Sequence, residues 1–298
     1  MQIGIDLGGT KIEAIALDGT AVVAAPRRVP SPRDYAGSLD TIIGLVAELE
    51  GETGRTGSVG VGIPGVVNRA TDLVKNANST WLNGRPLRSD LEARLGRPVR
   101  LANDANCFAL SEATDGAGRG FDTVFGVILG TGVGGGIAIR QRIHDGPNQI
   151  AGEWGHNSLP WTTDQERAAA PTCYCGQTGC IETFLSGPGF ERDYALHAGA
   201  ARSSPDIVGA AAAGEGAAIQ ALRRYEDRLA RSLAAVINVL DPDAVVLGGG
   251  MSNLPALAAT TSALLPRHVF SDAVLTRVLP NTHGDSSGVR GAAWLWPA

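Results

Sequence analysis

Three cysteines lie close together in the second half of the chain, and a histidine precedes them. They are Cys173, Cys175 and Cys180, with His156 lying 17 positions before the first. Three thiolates and one imidazole supply the four ligands of a tetrahedral structural Zn²⁺ site, which has no open position for water. The spacing therefore predicts structural zinc. A Cys175–Cys180 disulfide or unrelated buried thiols are the alternatives, and Cys107 is expected to be a small buried residue apart from this cluster.

Three glycine-rich turns follow segments with the apolar pattern of strands, and each is a candidate contact for a nucleotide. Glycine lets backbone N–H groups approach a phosphate closely, and Lys11 can neutralise part of its charge. Asp6 is expected to hold a water molecule of Mg²⁺. An ordinary hairpin turn is the alternative for any single turn. The predicted nucleotide-binding positions are Asp6, Gly8, Gly9, Thr10, Lys11, Gly130, Thr131, Gly132, Gly134, Gly248, Gly249 and Gly250.

The second turn also matches a dinucleotide fingerprint, through Gly130, Gly132 and Gly135. That fingerprint must open a helix. Here residues 137–140 read as a strand, so we interpret the turn as a second phosphate-binding hairpin.

A carboxylate stands between a predicted strand and a predicted helix, at Asn103-Asp104. Phosphoryl transfer to an alcohol needs a group that accepts the hydroxyl proton. Asp104 suits that role, and Asn103 suits a hydrogen bond to a sugar hydroxyl. The alternative is that Asp104 only caps the helix.

Bulk composition excludes several classes of protein. The 298 residues are 44% hydrophobic and 18% charged, which is typical of a globular protein. A net charge of −5 gives no basic surface for nucleic acid or an anionic membrane. No export signal or apolar run of about 18 residues is visible, so a cytoplasmic location is expected.

The order of predicted elements indicates an α/β protein. Strand, glycine turn and strand occur near the start and again after residue 120, and a long amphipathic helix is predicted at 217–240. We predict two domains facing a cleft: an N-terminal α/β domain over 1–115 and a larger one over 116–287 that carries the zinc site. The last helix, about 288–298, is expected to pack back on the first domain.

Three motifs resemble the signatures of the ROK family, which comprises repressors, uncharacterised reading frames and sugar kinases. They are Asp6-Leu7-Gly8-Gly9-Thr10-Lys11, Glu153-Trp154-Gly155-His156 and Cys173-x-Cys175-Gly176-x-x-Gly179-Cys180-x-Glu182. The likeness runs from Gly4 to Trp296. It implies an actin-like ATPase (ribonuclease H-like) fold with ATP and Mg²⁺ in the cleft, zinc on the four predicted ligands, and a homodimer.

The same resemblance implies roles for individual residues. Asp104 would be the catalytic base. The residues that would contact or line the sugar site are Gly65, Asn78, Asn103, Asp104, Glu153, His156 and Glu182.

Within the family, the segment from Pro160 to Pro171, together with the motifs at residues 76–81 and 152–157, is similar to fructokinases of the manno(fructo)kinase type. This similarity implies phosphorylation of a free hexose at its 6-hydroxyl, with D-fructose first and D-mannose second. Glucokinase and N-acetylhexosamine kinase are the alternatives. A non-catalytic sugar-sensing protein is the alternative from another class. A repressor would need a helix-turn-helix segment of about 60 residues before the first glycine turn, which begins at Gly8, so direct DNA binding is not expected.

Overall fold

The computed structural model describes residues 1–297 and divides by internal packing into two units. The first comprises Met1–Gly120, Gly136–Ile150 and the chain from Thr282 onward, and the second comprises Phe121–Gly135 and Ala151–Asn281. Residues 136–150, which the sequence prediction assigned to the second domain, are grouped with the first unit.

The described chain contains runs of strands and runs of helices, separated by single alternating elements. The strands are β1 (Gln2–Leu7), β2 (Lys11–Asp18), β3 (Ala21–Pro30), β4 (Ser58–Ile63), β5 (Val66–Val67), β6 (Val74–Lys75), β7 (Val99–Asn103), β8 (Thr123–Leu129), β9 (Val133–Ile139), β10 (Arg142–Ile143), β11 (Ala244–Gly248) and β12 (Arg277–Pro280). The helices are α1 (Tyr35–Thr53), α2 (Leu87–Leu95), α3 (Asp104–Thr114), α4 (Asp164–Ala168), α5 (Glu182–Leu185), α6 (Gly187–Ala198), α7 (Ser204–Ala212), α8 (Gly216–Leu240), α9 (Leu257–Leu264) and α10 (Ser287–Ala293).

The sheet of the first unit has the strand order β3-β2-β1-β4-β7. β1 is antiparallel to β2 and parallel to β4, and β4 is parallel to β7. Asp6 pairs in register with Gly62, and Ile63 with Asn103. Because the carboxyl ends of parallel strands meet at one edge of a sheet, Asp6 and Asn103 lie at the same edge, where ligands of open α/β sheets bind.

Helix α10 packs on this sheet because glycine leaves room for its backbone. A Cβ at Gly4 would lie 2.0 Å from the carbonyl oxygen of Val289, and a Cβ at Gly60 would lie 1.9 Å from that of Ala292. No side chain fits at either place, so these glycines let the last described helix contact β1 and β4 directly.

The second sheet has the order β10-β9-β8-β11-β12, and β9 runs from the second unit into residues grouped with the first. β11 is parallel to β8 and to β12. Helix α8 of the second unit is amphipathic, as predicted. Its buried apolar residues recur every three or four positions: Ala218, Ala221, Tyr225, Leu229, Leu233 and Ile237.

The insert between His156 and Cys173 forms α4 and is tied to α8 by buried charges. Glu166 accepts hydrogen bonds from Arg228 at 2.8 Å and from Arg231 at 2.7 Å. These bonds, which outweigh desolvation, lower the pKa of Glu166 to about 2, so the carboxylate stays ionised. The ion pairs therefore hold the insert against α8.

Strand β3 was not predicted from the sequence, nor were α4, α6, α7, α9 and β12. β3 is an edge strand with mostly exposed side chains, so it lacks the apolar alternation of a half-buried strand. Across residues 1–297 no helix combines the length and apolar character needed to cross a bilayer.

Candidate active site

The predicted base stands at the first position of α3. Asn103 is the N-cap residue, and its side-chain oxygen accepts the backbone N–H of Ala105 at 2.9 Å and that of Asn106 at 3.4 Å. Because Asn103 caps the helix, the cap does not depend on Asp104. One oxygen of Asp104 also lies 2.8 Å from the Ala105 nitrogen. The end of β7 thus places the Asp104 carboxylate at the sheet edge.

Asp6 lies near two further carboxylates of the first unit. Burial is the main cause that raises the pKa of Asp6 to about 7, and the negative charges of Asp104 and Glu13 add to it. A bound cation would favour the ionised form of such a group, and Mg²⁺ takes oxygen ligands. The donor set therefore fits the predicted magnesium role of Asp6.

The first glycine turn is closed by a backbone hydrogen bond from Gly8 N–H to the carbonyl of Lys11, at 3.0 Å. A Cβ at Gly8 would lie 2.9 Å from the same carbonyl oxygen, so the tight turn favours glycine. The Lys11 ammonium lies 3.9 Å from Glu13 and 4.0 Å from Asp285.

Gly65, Asn78 and Asn103 are linked through the loops after β4 and β6. The Asn103 amide donates to the Gly65 carbonyl at 3.4 Å, and the Asn78 N–H donates to the Pro64 carbonyl at 3.4 Å. A Cβ at Gly65 would meet the backbone of Lys75 at 2.8 Å. The predicted sugar residues of the first unit therefore lie in one connected region.

The second glycine turn is linked to Glu182 at the start of α5. One carboxylate oxygen of Glu182 accepts the N–H of Val133 at 3.0 Å, and a Cβ at Gly132 would lie 2.7 Å from the same oxygen. Gly130 N–H closes the turn by donating to the Gly132 carbonyl at 2.9 Å. A predicted sugar residue and a predicted phosphate turn thus contact each other within the second unit.

A cavity of about 670 Å³ lies in the second unit, within the size range of small-molecule sites. Its lining includes Gly130, Thr131 and Gly250 from the glycine turns, with the starts of α6 and α7. Sequence reasoning missed its other lining residues, which are Gly187, Pro188, Glu191, Ser204, Pro205, Val208, Met251, Asn253 and Leu254. Ser186 and Ser203, each a helix N-cap followed by proline within the first turn, are the sequence signals for these two helix starts.

Of the third glycine turn, only Gly250 lines this cavity. Gly249 has a φ of 81°, and its Cβ would lie 2.4 Å from the Leu129 carbonyl oxygen. The role of Gly249 in the described structure is close packing of the turn against β8. The mostly apolar side chains around Gly250 suit a flat group such as a purine.

The four predicted zinc ligands come together in the second unit. One atom from each of His156, Cys173, Cys175 and Cys180 lies within 4.8 Å of the others, and all three thiols are free. Cys173 Sγ is 3.6 Å from His156 Nδ1, and Cys175 Sγ is 3.6 Å from Cys180 Sγ. Tetrahedral zinc with ordinary bond lengths places its ligand atoms roughly 3.5–3.8 Å apart. The chemistry and spacing of this donor set therefore fit Zn²⁺.

Glycines allow the histidine-bearing segment to pack against β9. A Cβ at Gly155 would lie 2.2 Å from the Val133 carbonyl oxygen, and the Trp154 indole donates to the Gly134 carbonyl at 2.9 Å. Desolvation, with the charge of Glu182, raises the pKa of Glu153. Glu153, His156 and Glu182 thus share one polar region.

Tyr174 belongs to the same region and was not predicted as a site residue. Its hydroxyl lies 3.0 Å from His156 Nε2, and the two rings meet edge to face with centroids 5.1 Å apart. Desolvation of the hydroxyl, followed by the charges of Glu182 and Glu153, raises the pKa of Tyr174 to about 12. Its place between Cys173 and Cys175 was the available sequence signal.

His283 lies outside the metal cluster and pairs with a carboxylate of the first unit. His283 Nε2 lies 3.0 Å from a carboxylate oxygen of Asp115, and this hydrogen bond raises the pKa of His283.

Comparisons with known proteins agree with this set of features. The ROK family profile matches residues 2–298. The N-acetyl-D-glucosamine kinase of Escherichia coli O9:H4 (strain HS) is 44% identical over 299 residues, with 99% of each chain covered.

Two solved structures extend the comparison. A ROK hexokinase from Thermus thermophilus superposes with a TM-score of 0.87 at 29% identity, covering 98% of this chain and 96% of that one. A ROK family glucokinase from Streptomyces griseus in complex with glucose and AMPPNP gives a TM-score of 0.78 at 29% identity, covering 99% and 98%. The predicted α/β, actin-like ATPase fold is confirmed.

The expected similarity to fructokinases is corrected by these comparisons. Relatives that are 42–44% identical over essentially the whole chain are N-acetyl-D-glucosamine kinases. The longer segment between His156 and Cys173 was one of three features behind the fructokinase expectation. In the structure that segment contains α4, which is held to α8 by the ion pair between Glu166 and Arg231.

Proposed function

This chain belongs to the ROK family and is an ATP-dependent sugar kinase, and from that premise we propose that it phosphorylates N-acetyl-D-glucosamine at the 6-hydroxyl. The observation that carries the choice of sugar is the 44% identity, over essentially the whole of both chains, to an N-acetyl-D-glucosamine kinase. The N-acetylhexosamine alternative of the sequence analysis thereby replaces fructose as the first candidate.

In the proposed mechanism, residues of the first unit carry the proton transfer. Asp104 accepts the proton of the 6-hydroxyl as that oxygen attacks the γ-phosphorus and ADP leaves. Gly65, Asn78 and Asn103 hold the sugar on the same unit. The hydrogen bonds among these groups support the assignment, because they fix the loops before the substrate arrives.

Residues of the second unit would hold the adenosine and the remaining sugar hydroxyls. The cavity of about 670 Å³ at Gly130, Thr131 and Gly250 supports the nucleotide assignment. Asp6 and the two phosphate turns would hold MgATP, in which Mg²⁺ neutralises charge on the phosphates. Zn²⁺ would keep the His156 segment and the cysteine loop together and take no part in the chemistry.

A coupled ADP-release assay on zinc-replete protein tests the proposal. The panel is N-acetyl-D-glucosamine, N-acetyl-D-mannosamine, glucose, mannose and fructose. We expect the highest kcat/KM with N-acetyl-D-glucosamine, and glucose is the matched sugar without the acetamido group. A higher kcat/KM for another sugar would overturn the substrate and retain the kinase.

The assay also separates the kinase from a sugar-sensing protein. Such a protein would bind N-acetyl-D-glucosamine, as measured by calorimetry, and would release no ADP in the coupled assay. The Asp104→Asn variant supplies the reference for that behaviour, since it keeps the sugar contacts and removes the proposed base.

A further inference from the structure

The Tyr174 hydroxyl and the sugar of the proposed function require the same nitrogen of His156, which is Nε2. Its Nδ1 faces the cysteine cluster, 3.6 Å from Cys173 Sγ, so Nε2 is the nitrogen left for other contacts. A neutral imidazole that gives one nitrogen to a metal has a single N–H on the other. Tyr174 takes that position with its hydroxyl at 3.0 Å. Under the proposed function, a sugar oxygen must bind to the same N–H.

The backbone around Tyr174 is held firmly, whereas its side chain is not. Cys173 N–H donates to the Gln177 carbonyl at 2.8 Å, and Gly176 N–H donates to the Cys173 carbonyl at 3.0 Å. Tyr174 is 84% exposed as a residue, and only its hydroxyl is partly desolvated, where it meets His156. Within residues 1–297 its hydroxyl has the bond to His156 and no other. Rotation about its side-chain bonds therefore releases Nε2 without moving a zinc ligand, on the fast timescale of exposed side chains.

We propose that Tyr174 is a latch on the sugar site. In the sugar-free enzyme its hydroxyl oxygen accepts a hydrogen bond from His156 Nε2–H, and the sugar displaces this hydroxyl when it binds. The inference rests on the proposed function, since it takes His156 as a sugar contact. Tyr174 acts through His156 and is not a catalytic residue. It lowers the affinity for the sugar, because each binding event breaks one hydrogen bond before making another.

The sign of the effect follows from this competition. Tyr174→Phe keeps the ring against His156 and removes only the hydroxyl. A net hydrogen bond of ordinary strength corresponds to a change of about 2- to 10-fold in an equilibrium constant. The variant should therefore bind the sugar about 2- to 10-fold more tightly, whereas loss of a direct sugar contact would weaken binding.

The test is calorimetric titration of zinc-loaded full-length protein with N-acetyl-D-glucosamine, without nucleotide. We expect Tyr174→Phe and Tyr174→Ala to lower the Kd, with zinc content unchanged. Tyr194→Phe is the matched control in the same unit, because it removes a tyrosine hydroxyl bound to Glu215 at 2.6 Å and should leave the Kd unchanged. An unchanged or raised Kd for both Tyr174 variants overturns the latch.

If the proposed substrate or activity is wrong, the sugar titrations of the wild type and the Tyr174 variants give a different pattern. If the wild type binds glucose, mannose or fructose in place of N-acetyl-D-glucosamine, the same comparison is made with that sugar, and a lower Kd in Tyr174→Phe retains the latch. If no hexose binds to the wild type or to either variant, both proposals are overturned. Normal turnover of N-acetyl-D-glucosamine with no tightening in the variants overturns the latch alone.

Discussion

Replacing Gly132 with alanine tests whether the second glycine turn positions Glu182 for the sugar. The new Cβ would lie 2.7 Å from a Glu182 carboxylate oxygen, whereas ordinary contact begins near 3.4 Å. The oxygen must therefore retreat by about 0.7 Å. It would lose the Val133 N–H bond, now 3.0 Å, and its alignment with the sugar. Since Gly132 is not among the glycines with positive φ, alanine adds no backbone strain there.

The expected cost falls on sugar binding more than on folding. The carboxylate is the end of a flexible side chain, so the free energy of unfolding should fall by only about 1 kcal/mol. A hydrogen bond to a charged group contributes about 1.5–3 kcal/mol, so the Kd for N-acetyl-D-glucosamine should rise roughly 10- to 100-fold. Calorimetry measures the Kd, and thermal or urea unfolding measures stability.

Two further variants make this result decisive. Gly44→Ala, in the exposed part of α1 where a Cβ meets nothing within 4 Å, should leave sugar binding unchanged. In a Glu182→Ala background, Gly132→Ala should have no additional effect, because the group it displaces is gone. An unaltered Kd in folded Gly132→Ala would refute the role assigned to Glu182.

Three other predictions concern the base, the metal and a pH-dependent ion pair. Asp104→Asn should keep the sugar Kd and lower kcat by at least 100-fold in the coupled assay; near-normal kcat would remove Asp104 from the base role. Cys175→Ser should lower the zinc content measured by atomic emission and raise the sugar Kd through disorder of His156, whereas unchanged zinc content would contradict the assigned ligand set. His283 has a raised pKa in the folded protein because of Asp115, so its contribution is complete below pH 6.5 and is lost as pH rises through the folded pKa. His283→Gln should therefore lower the free energy of unfolding by about 1 kcal/mol at pH 6 and by less at pH 9, measured by urea unfolding; equal losses at both pH values would refute the linkage.

Local sequence was sufficient where a short segment carries its own signal. The cysteine spacing predicted the ligands that the structure brings together, because a tight turn such as 173–180 keeps soft ligands close. Helix α8 was predicted nearly to its ends, because its apolar period is long and regular. The cap at Asn103 likewise depends on neighbours in the chain, so the position of Asp104 could be read from residues 103–106.

The sequence did not allow prediction of contacts between residues that lie far apart along the chain. The cavity at Gly130 needs α6 and α7, whose starts lie more than 50 residues further along the chain. The bond between Tyr174 and His156 depends on the angle at which two loops meet, and no spacing rule encodes that angle.

The sequence by itself determined the α/β fold class, the four residues of the candidate metal site and the glycine turns, since these follow from local residue chemistry and periodicity. Only the tertiary structure decided that the Glu182 carboxylate lies against Gly132 and that the Tyr174 hydroxyl contacts His156 Nε2. It also decided that the segment containing α4 packs on α8. The physical reason is that each of these contacts requires placement to within a few tenths of an ångström. The parts of the chain that meet there are brought together by packing of the core and not by the local sequence.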